Sequence, residues 1–169
     1  MTIQEFITKH NLAITFKAFT PPAEDAGRWT KNHVHLNCSI GRKGSGIVRT
    51  VAVDGITPVI TTFPAKCLKV EFHCPRNSCL QSKDERIADE ARAELLESVL
   101  DCVAGDCRLA DDHDTWEEMA AEFIDLKTAT YAEAMEHQRI FAACERQAKQ
   151  ARRFFGAAAY AELLECESL

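Results

Sequence analysis

Residues 130–156 constrain this chain more than any other stretch. Thr130 and Glu133 stand at capping-box spacing. The hydroxyl can accept from the third helical N–H while the carboxylate accepts from the cap N–H. Tyr131, Ala134, Met135, Phe141, Ala142, Cys144, Ala148, Ala151 and Phe155 then recur mostly at three- and four-residue steps, one side of a helix. Arg139, Glu145, Arg146, Lys149 and Arg152 fall largely elsewhere. Arg146, Lys149, Arg152 and Arg153 crowd the final turns, where cations favour the negative end of the helix dipole. Gly156 follows, where a helix commonly needs a left-handed residue to stop. A helix of about 26 residues is roughly 39 Å long and needs several partners along its stripe.

Its neighbours are legible by the same signals. Thr115 and Glu118 repeat the capping-box spacing and open a predicted helix to Leu126, with Trp116, Met119, Ala120, Phe123, Ile124 and Leu126 inward. The linker Lys127 to Ala129 is short enough for a helical hairpin. A closing helix is predicted over Ala157 to Cys166, with Tyr160, Leu163 and Leu164 buried. Upstream, Ser82 and Glu85 can cap a helix to about Ala104, stopped by Gly105 and followed by an acidic connector, Cys107 to Asp114.

The first half alternates instead. A short helix over Thr2 to His10 precedes a strand over Asn11 to Phe19. His33 to Ile40 is a second strand; its turn Gly41 to Gly46 (GRKGSG) leads into Ile47 to Val53 as its hairpin partner. Ile56 to Phe63 pairs after the Asp54-Gly55 turn, and Cys67 to His73 alternates again. Strands first and helices afterwards predict an α+β fold. The expectation is one domain, 1–169, mainly β over 1–80 and mainly α over 82–169, with an antiparallel sheet of three to five strands packed on a helical bundle containing one long helix.

Charge separates along the chain. The net charge is −6, yet Arg28, Lys31, Arg42, Lys43 and Arg49 lie in a span with no acidic residue. From Asp111 to Glu145 there are ten acidic residues against Lys127 and Arg139. A basic patch and an acidic face are statements about partners. No apolar run reaches membrane-spanning length, and the N-terminus, with Glu5 and no basic lead-in, makes a poor signal peptide. The expected location is cytoplasmic, where the eight cysteines stay reduced.

Few residues point to chemistry. Cys74 and Cys79, with Cys102 and Cys107, are two loosely spaced pairs that could close a zinc tetrahedron, although unmetallated buried thiols are the simpler reading. His33 and His35 project from one face of a strand and could hold a metal or act as a base, but no carboxylate is close in sequence. Gly41 to Gly46 does not complete the G-x-x-x-x-G-K-[ST] of a phosphate loop, because Ile47 follows Gly46 and a strand is predicted where a helix is needed. No catalytic residue, no cofactor and no enzymatic activity is expected.

Three stretches carry a resemblance. Ser98 to Asp106 (SVLDCVAGD) is similar to a helix motif D-V-L-x-x-x-A-x-D, with Ser98 in place of the acidic residue. Trp116 to Phe123 (WEEMAAEF) is similar to an aromatic-acidic helix. Phe141 to Ala148, Arg152 to Gly156 and Glu162 to Glu165 resemble the form Y-x-A-C-x-x-x-A-x-x-x-R-R-x-x-G followed by E-L-L-E. Together they resemble small accessory proteins of tailed phages and prophages. Residues before Asp25 and the loop Cys74 to Cys79 lie outside the match. The resemblance implies a mobile-element origin and, by association, an inhibitor of host defence of the anti-CRISPR or anti-restriction kind. The expected contact residues are Asp111, Asp112, Asp114, Glu117, Glu118, Glu122 and Asp125, set against a basic nucleic-acid-binding surface of a defence complex. The alternative is a nucleic-acid-binding accessory protein using Arg28, Trp29, Lys31, Arg42, Lys43 and Arg49.

Overall fold

The computed structural model describes residues 1–20, 33–43, 49–53, 57–62, 66–75 and 89–168. The fold is α+β. In chain order it contains α1 (Ile3–Lys9), β1 (Leu12–Phe19), β2 (His33–Arg42), β3 (Arg49–Val53), β4 (Thr57–Thr62), β5 (Leu68–Pro75), α2 (Asp89–Asp112), α3 (Trp116–Ala120), α4 (Tyr131–Phe155) and α5 (Ala157–Leu164). It divides into two compact units: Gln4–Val99, and Met1–Ile3 with Leu100–Leu169. The boundary falls inside α2, not at the break near residue 81 where the sequence changes from β to α patterning.

In the first unit, β1, β2 and β5 form an antiparallel sheet with β2 in the centre. Register lines up Ile14, Ile40 and Leu68 across the three strands, and next to them Phe16, Cys38 and Val70. Side chains alternate across a pleat, so these share the face that carries the buried Leu12, Leu36 and Cys74. The opposite face pairs Thr15, Ser39 and Lys69, and Lys69 Nζ donates to Ser39 Oγ at 2.8 Å. Asn11 joins α1 to β1 with φ +52°, a left-handed conformation that asparagine tolerates. Its main-chain oxygen accepts from Lys43 N at 2.8 Å and its Nδ2 donates to Lys43 O at 3.1 Å, which ties down the end of β2.

The expected hairpin between β2 and the strand after it does not form. β2 pairs with β1 and β5, whereas β3 pairs with β4 in a separate two-stranded ribbon. The turn chemistry of the glycine-rich loop allowed a hairpin, but an alternating strand such as β2 buries its apolar face equally well between two other strands. Only that face is specified locally; the partner is not.

In the second unit, α4 forms as the sequence predicts. Thr130 Oγ1 accepts from Glu133 N at 3.2 Å and Glu133 Oε2 accepts from Thr130 N at 2.8 Å, so both halves of the capping box close. Phe141, Cys144, Ala148, Ala151 and Phe155 are its buried stripe. Gly156 ends it with φ +82° and ψ 165°, a region open essentially to glycine alone. In α5, Tyr160 and Leu163 are buried as expected.

Two helix boundaries differ from expectation. α2 runs through Gly105 to Asp112, and the supposed connector after Cys107 is its last turns. Gly105 is helical; burial of Val103, Ala104 and Cys107 beside it outweighs a glycine penalty of about 1 kcal/mol. The proposed cap at Ser82 and Glu85 lies outside the described residues. α3 in turn stops at Ala120 instead of Leu126. Phe123 N and Ile124 N both donate to Ala120 O at 2.9 Å, and Asp125 Oδ1 accepts from Lys127 N at 3.0 Å. That side chain offers the backbone a local turn in place of another helical bond.

Arg108, assigned by sequence to the connector, lies on α2 and closes α5. Its Nε donates to Leu164 O at 2.9 Å, and its Nη groups donate to Cys166 O and to Ser168 Oγ. A guanidinium with several fixed donors suits the orphan carbonyls of a helix end. Beside it, Glu167 N donates to Met1 O at 3.0 Å, so both chain ends meet.

Candidate functional site

The acidic stretch is built from the end of α2, the short α3 and the turn after it. Asp111, Asp112, Asp114, Glu117, Glu118, Glu122 and Asp125 are all exposed. They do not form one uniform array. Asp111 Oδ1 accepts from Arg152 Nη2 at 3.0 Å, and that guanidinium also lies 4.7 Å from the Tyr160 ring centroid. Glu122 Oε1 meets His113 Nε2 at 2.8 Å. Glu118 Oε2 accepts from Asp114 N at 2.9 Å, so it reaches the residue before the cap and not the cap N–H of a full capping box. The hydroxyl half of that box holds: Thr115 Oγ1 accepts from Glu118 N at 3.3 Å. Among the described residues, the carboxylates of Asp112, Asp114 and Glu117 make no hydrogen bond or ion pair. These three are the free charges of the segment.

His113 explains how so many carboxylates collect here. Asp111 and Asp112 end α2 with no basic residue in its last turn, an unfavourable charge for the negative end of a helix. Directly after them, the His113 ring donates through Nδ1 to Leu109 O at 2.8 Å, an orphan carbonyl of that end. Hydrogen bonds to Leu109 and Glu122 hold its pKa above the ordinary histidine value.

The early stop of α3 also leaves Phe123 outside. Phe123, assigned to the core, is 59% exposed and stacks on His137 with ring centroids 6.2 Å apart. Tyr131, placed on the buried stripe of α4, is 81% exposed. Residues 121–127 border an open hollow of about 600 Å³. Carboxylates, two exposed aromatics and a shallow hollow therefore occur within about one short segment of chain. Periodicity missed Phe123 because it assumed that the helix continued; Tyr131 is exposed at the first turn of α4 although that helix forms.

The basic set is not brought together by the described structure. Arg28, Trp29 and Lys31 lie outside the described residues. Arg42 and Lys43 close β2, and Arg49 begins β3, which does not pair with it. The basic hairpin required by the nucleic-acid reading is therefore absent as a pairing.

The cysteine pairs fare similarly. Cys79 lies outside the described residues, Cys74 is buried in the sheet face, Cys107 is buried and Cys102 is exposed. Cys102 lies on α2 and faces outward, away from the buried Cys107. Among the described residues, no three His, Cys, Asp or Glu side chains converge as metal ligands. Burial pushes the Cys38 thiol up to about 12, with Cys74 adding to the effect, and the Cys107 thiol up to about 11. Cys144 reaches about 12 through burial and the nearby Asp106, whose carboxylate its thiol faces at 3.8 Å. Such thiols are protonated and make poor nucleophiles. Tyr160 is buried against Cys107, yet its hydroxyl has no partner of hydrogen-bond geometry among the described residues.

The sheet histidines gather more closely than their spacing suggested. His35 faces His73 across β2 and β5 with ring centroids 4.5 Å apart, and Phe19 meets His35 edge-on at 5.7 Å. Burial, then His35 and His33, lower the His73 pKa to about 4, so this ring is neutral. His33 and His35 are half-buried.

Among the described residues, no helix is long and apolar enough to cross a membrane. No family model, curated protein or solved structure matches the chain.

Proposed function

We propose that this chain works without catalysis, by binding a basic surface of another protein through the segment Asp111–Asp125. The observation that carries the reading is that all seven carboxylates of this segment are exposed, three of them without a hydrogen bond or ion pair among the described residues. Carboxylates spaced along a short helix and its flanking turns can occupy a groove that otherwise holds phosphates, and opposite charge accelerates such encounters. Phe123 and Tyr131 supply exposed rings on which partner arginines can stack. A nucleic-acid-binding subunit of a bacterial defence complex is the partner class we favour. The resemblance to phage accessory proteins supports that last step, and a cytoplasmic site of action goes with it.

The test compares the parent with Asp112→Lys/Asp114→Lys/Glu117→Lys in affinity capture from bacteria carrying defence systems. The expected result is a nucleic-acid-binding complex held by the parent and lost by the variant while circular dichroism is unchanged. Equal capture by both would refute the acidic-segment reading.

A further inference from the structure

The two ring nitrogens of His113 face two groups that can only accept. Nδ1 lies 2.8 Å from the main-chain oxygen of Leu109, and Nε2 lies 2.8 Å from Glu122 Oε1. A neutral imidazole carries one N–H and one lone pair, so it can satisfy one of these groups and must turn a lone pair on the other. Both contacts hold together only when both nitrogens carry protons. The geometry therefore points to an imidazolium: we propose that His113 is a proton-operated clasp that fixes the turn Ala121–Asp125 against the end of α2, and so sets the shape and charge of the docking segment. The regulatory meaning rests on the docking reading; the clasp itself does not.

The surroundings agree with the sign. Its side chain is 9% exposed, whereas that of Glu122 is 58% exposed. Glu122 from the turn and Asp112 on its own helix end are the charged groups that act on it, Asp114 follows it in the chain, and all three are acidic. The nearby cation Arg152 is engaged with Asp111. The negative end of α2 adds to the preference for a cation.

The proton balance is simple. As pH rises, Nε2–H gives its proton to solvent and the Nδ1–H bond to Leu109 remains. The freed lone pair then faces the Glu122 carboxylate, and the exposed carboxylate swings away. The segment gains one net negative charge. Its turn keeps the main-chain bonds from Phe123 and Ile124 to Ala120 and the Phe123–His137 stack, but loses its charged tie to His113. A cationic partner that takes Glu122 for itself drives the same change, so docking releases a proton from His113. The clasp is closed below the ordinary histidine value of 6.5 and opens as pH rises through the higher folded value.

The test is an NMR titration of the full chain without any partner, following the His113 ring and the main-chain amides of residues 121–127. The expected result is a His113 midpoint above 6.5, with those amides shifting at the same midpoint. In Glu122→Gln the midpoint falls and the amide response disappears; Glu122→Asp, which keeps the charge but shortens the reach, lowers the midpoint less. A parent His113 midpoint at or below 6.5, or amides that ignore its titration, overturns the clasp. A normal clasp in a protein whose capture survives charge reversal would sink the docking reading alone. Should both hold, a hexa-arginine peptide added at fixed pH lowers the His113 midpoint; an unchanged midpoint contradicts the coupling between them.

Discussion

Arg152 on α4 reaches Asp111 at the end of α2, Nη2 to Oδ1 at 3.0 Å, with its guanidinium 4.7 Å from the Tyr160 ring. One arginine thus removes a carboxylate from the proposed docking segment and joins three helices. Exposed ion pairs contribute about 0–1 kcal/mol, and an exposed guanidinium over a ring about 0.5–1 kcal/mol. Arg152→Gln should therefore cost about 1 kcal/mol in urea denaturation, and Asp111→Asn less, because it spares the ring contact. In high salt the Asp111→Asn effect should shrink most. Equal costs for the two variants would mean that the Tyr160 contact contributes nothing.

Two glycines should respond in opposite directions. Gly105 lies within α2, without positive φ, and a Cβ there meets nothing within 4 Å. Gly105→Ala should stabilise by about 0.5–1 kcal/mol, the ordinary helix-interior difference. Gly156 also has open space, but its φ of +82° disfavours any Cβ. Gly156→Ala should destabilise by about 1–3 kcal/mol. Thermal or urea midpoints decide both.

His73 predicts an acid limb. Its folded pKa is lowered from 6.5 to about 4, so the unfolded chain takes up the proton first as pH falls. The stability it contributes is complete above 6.5 and is lost progressively towards about 4. His73→Gln should flatten the stability profile across that window, whatever it does to absolute stability. An unchanged slope would show that the ring is not held neutral.

Phe123 and Tyr131 separate binding from folding. Both are exposed, so Phe123→Ala and Tyr131→Ala should each change unfolding free energy by no more than about 0.5 kcal/mol. Each should nevertheless weaken capture of the basic partner, measured as the salt concentration that elutes it. A large stability loss with unchanged capture would return both rings to a packing role.

What the sequence disclosed was local. The Thr130–Glu133 box, the buried stripe of α4 from Phe141 to Phe155 and the stop at Gly156 depend on residues a few positions apart and form as read, whereas Tyr131, placed on the same stripe, is exposed. The face of β2 was legible from its alternation, but its partners were not, because pairing with β1 and β5 depends on residues far along the chain. Gly105 misled because its helical penalty is small beside the burial around it. Residues 121–127 misled in the other direction, since their apolar pattern continues while the backbone turns, Phe123 N and Ile124 N sharing Ala120 O and Asp125 Oδ1 accepting from Lys127 N. The carboxylates of the candidate site were visible as a list; that Arg152 and His113 engage two of them was not, as neither contact follows from spacing.

The central claim concerns the free carboxylates Asp112, Asp114 and Glu117. Its most direct measurement is nucleic-acid binding by the captured defence complex, with added parent protein or the triple lysine variant. The parent should displace nucleic acid, less so as salt rises, and the variant should leave it bound. Displacement by the variant at the parent's concentration would contradict the account.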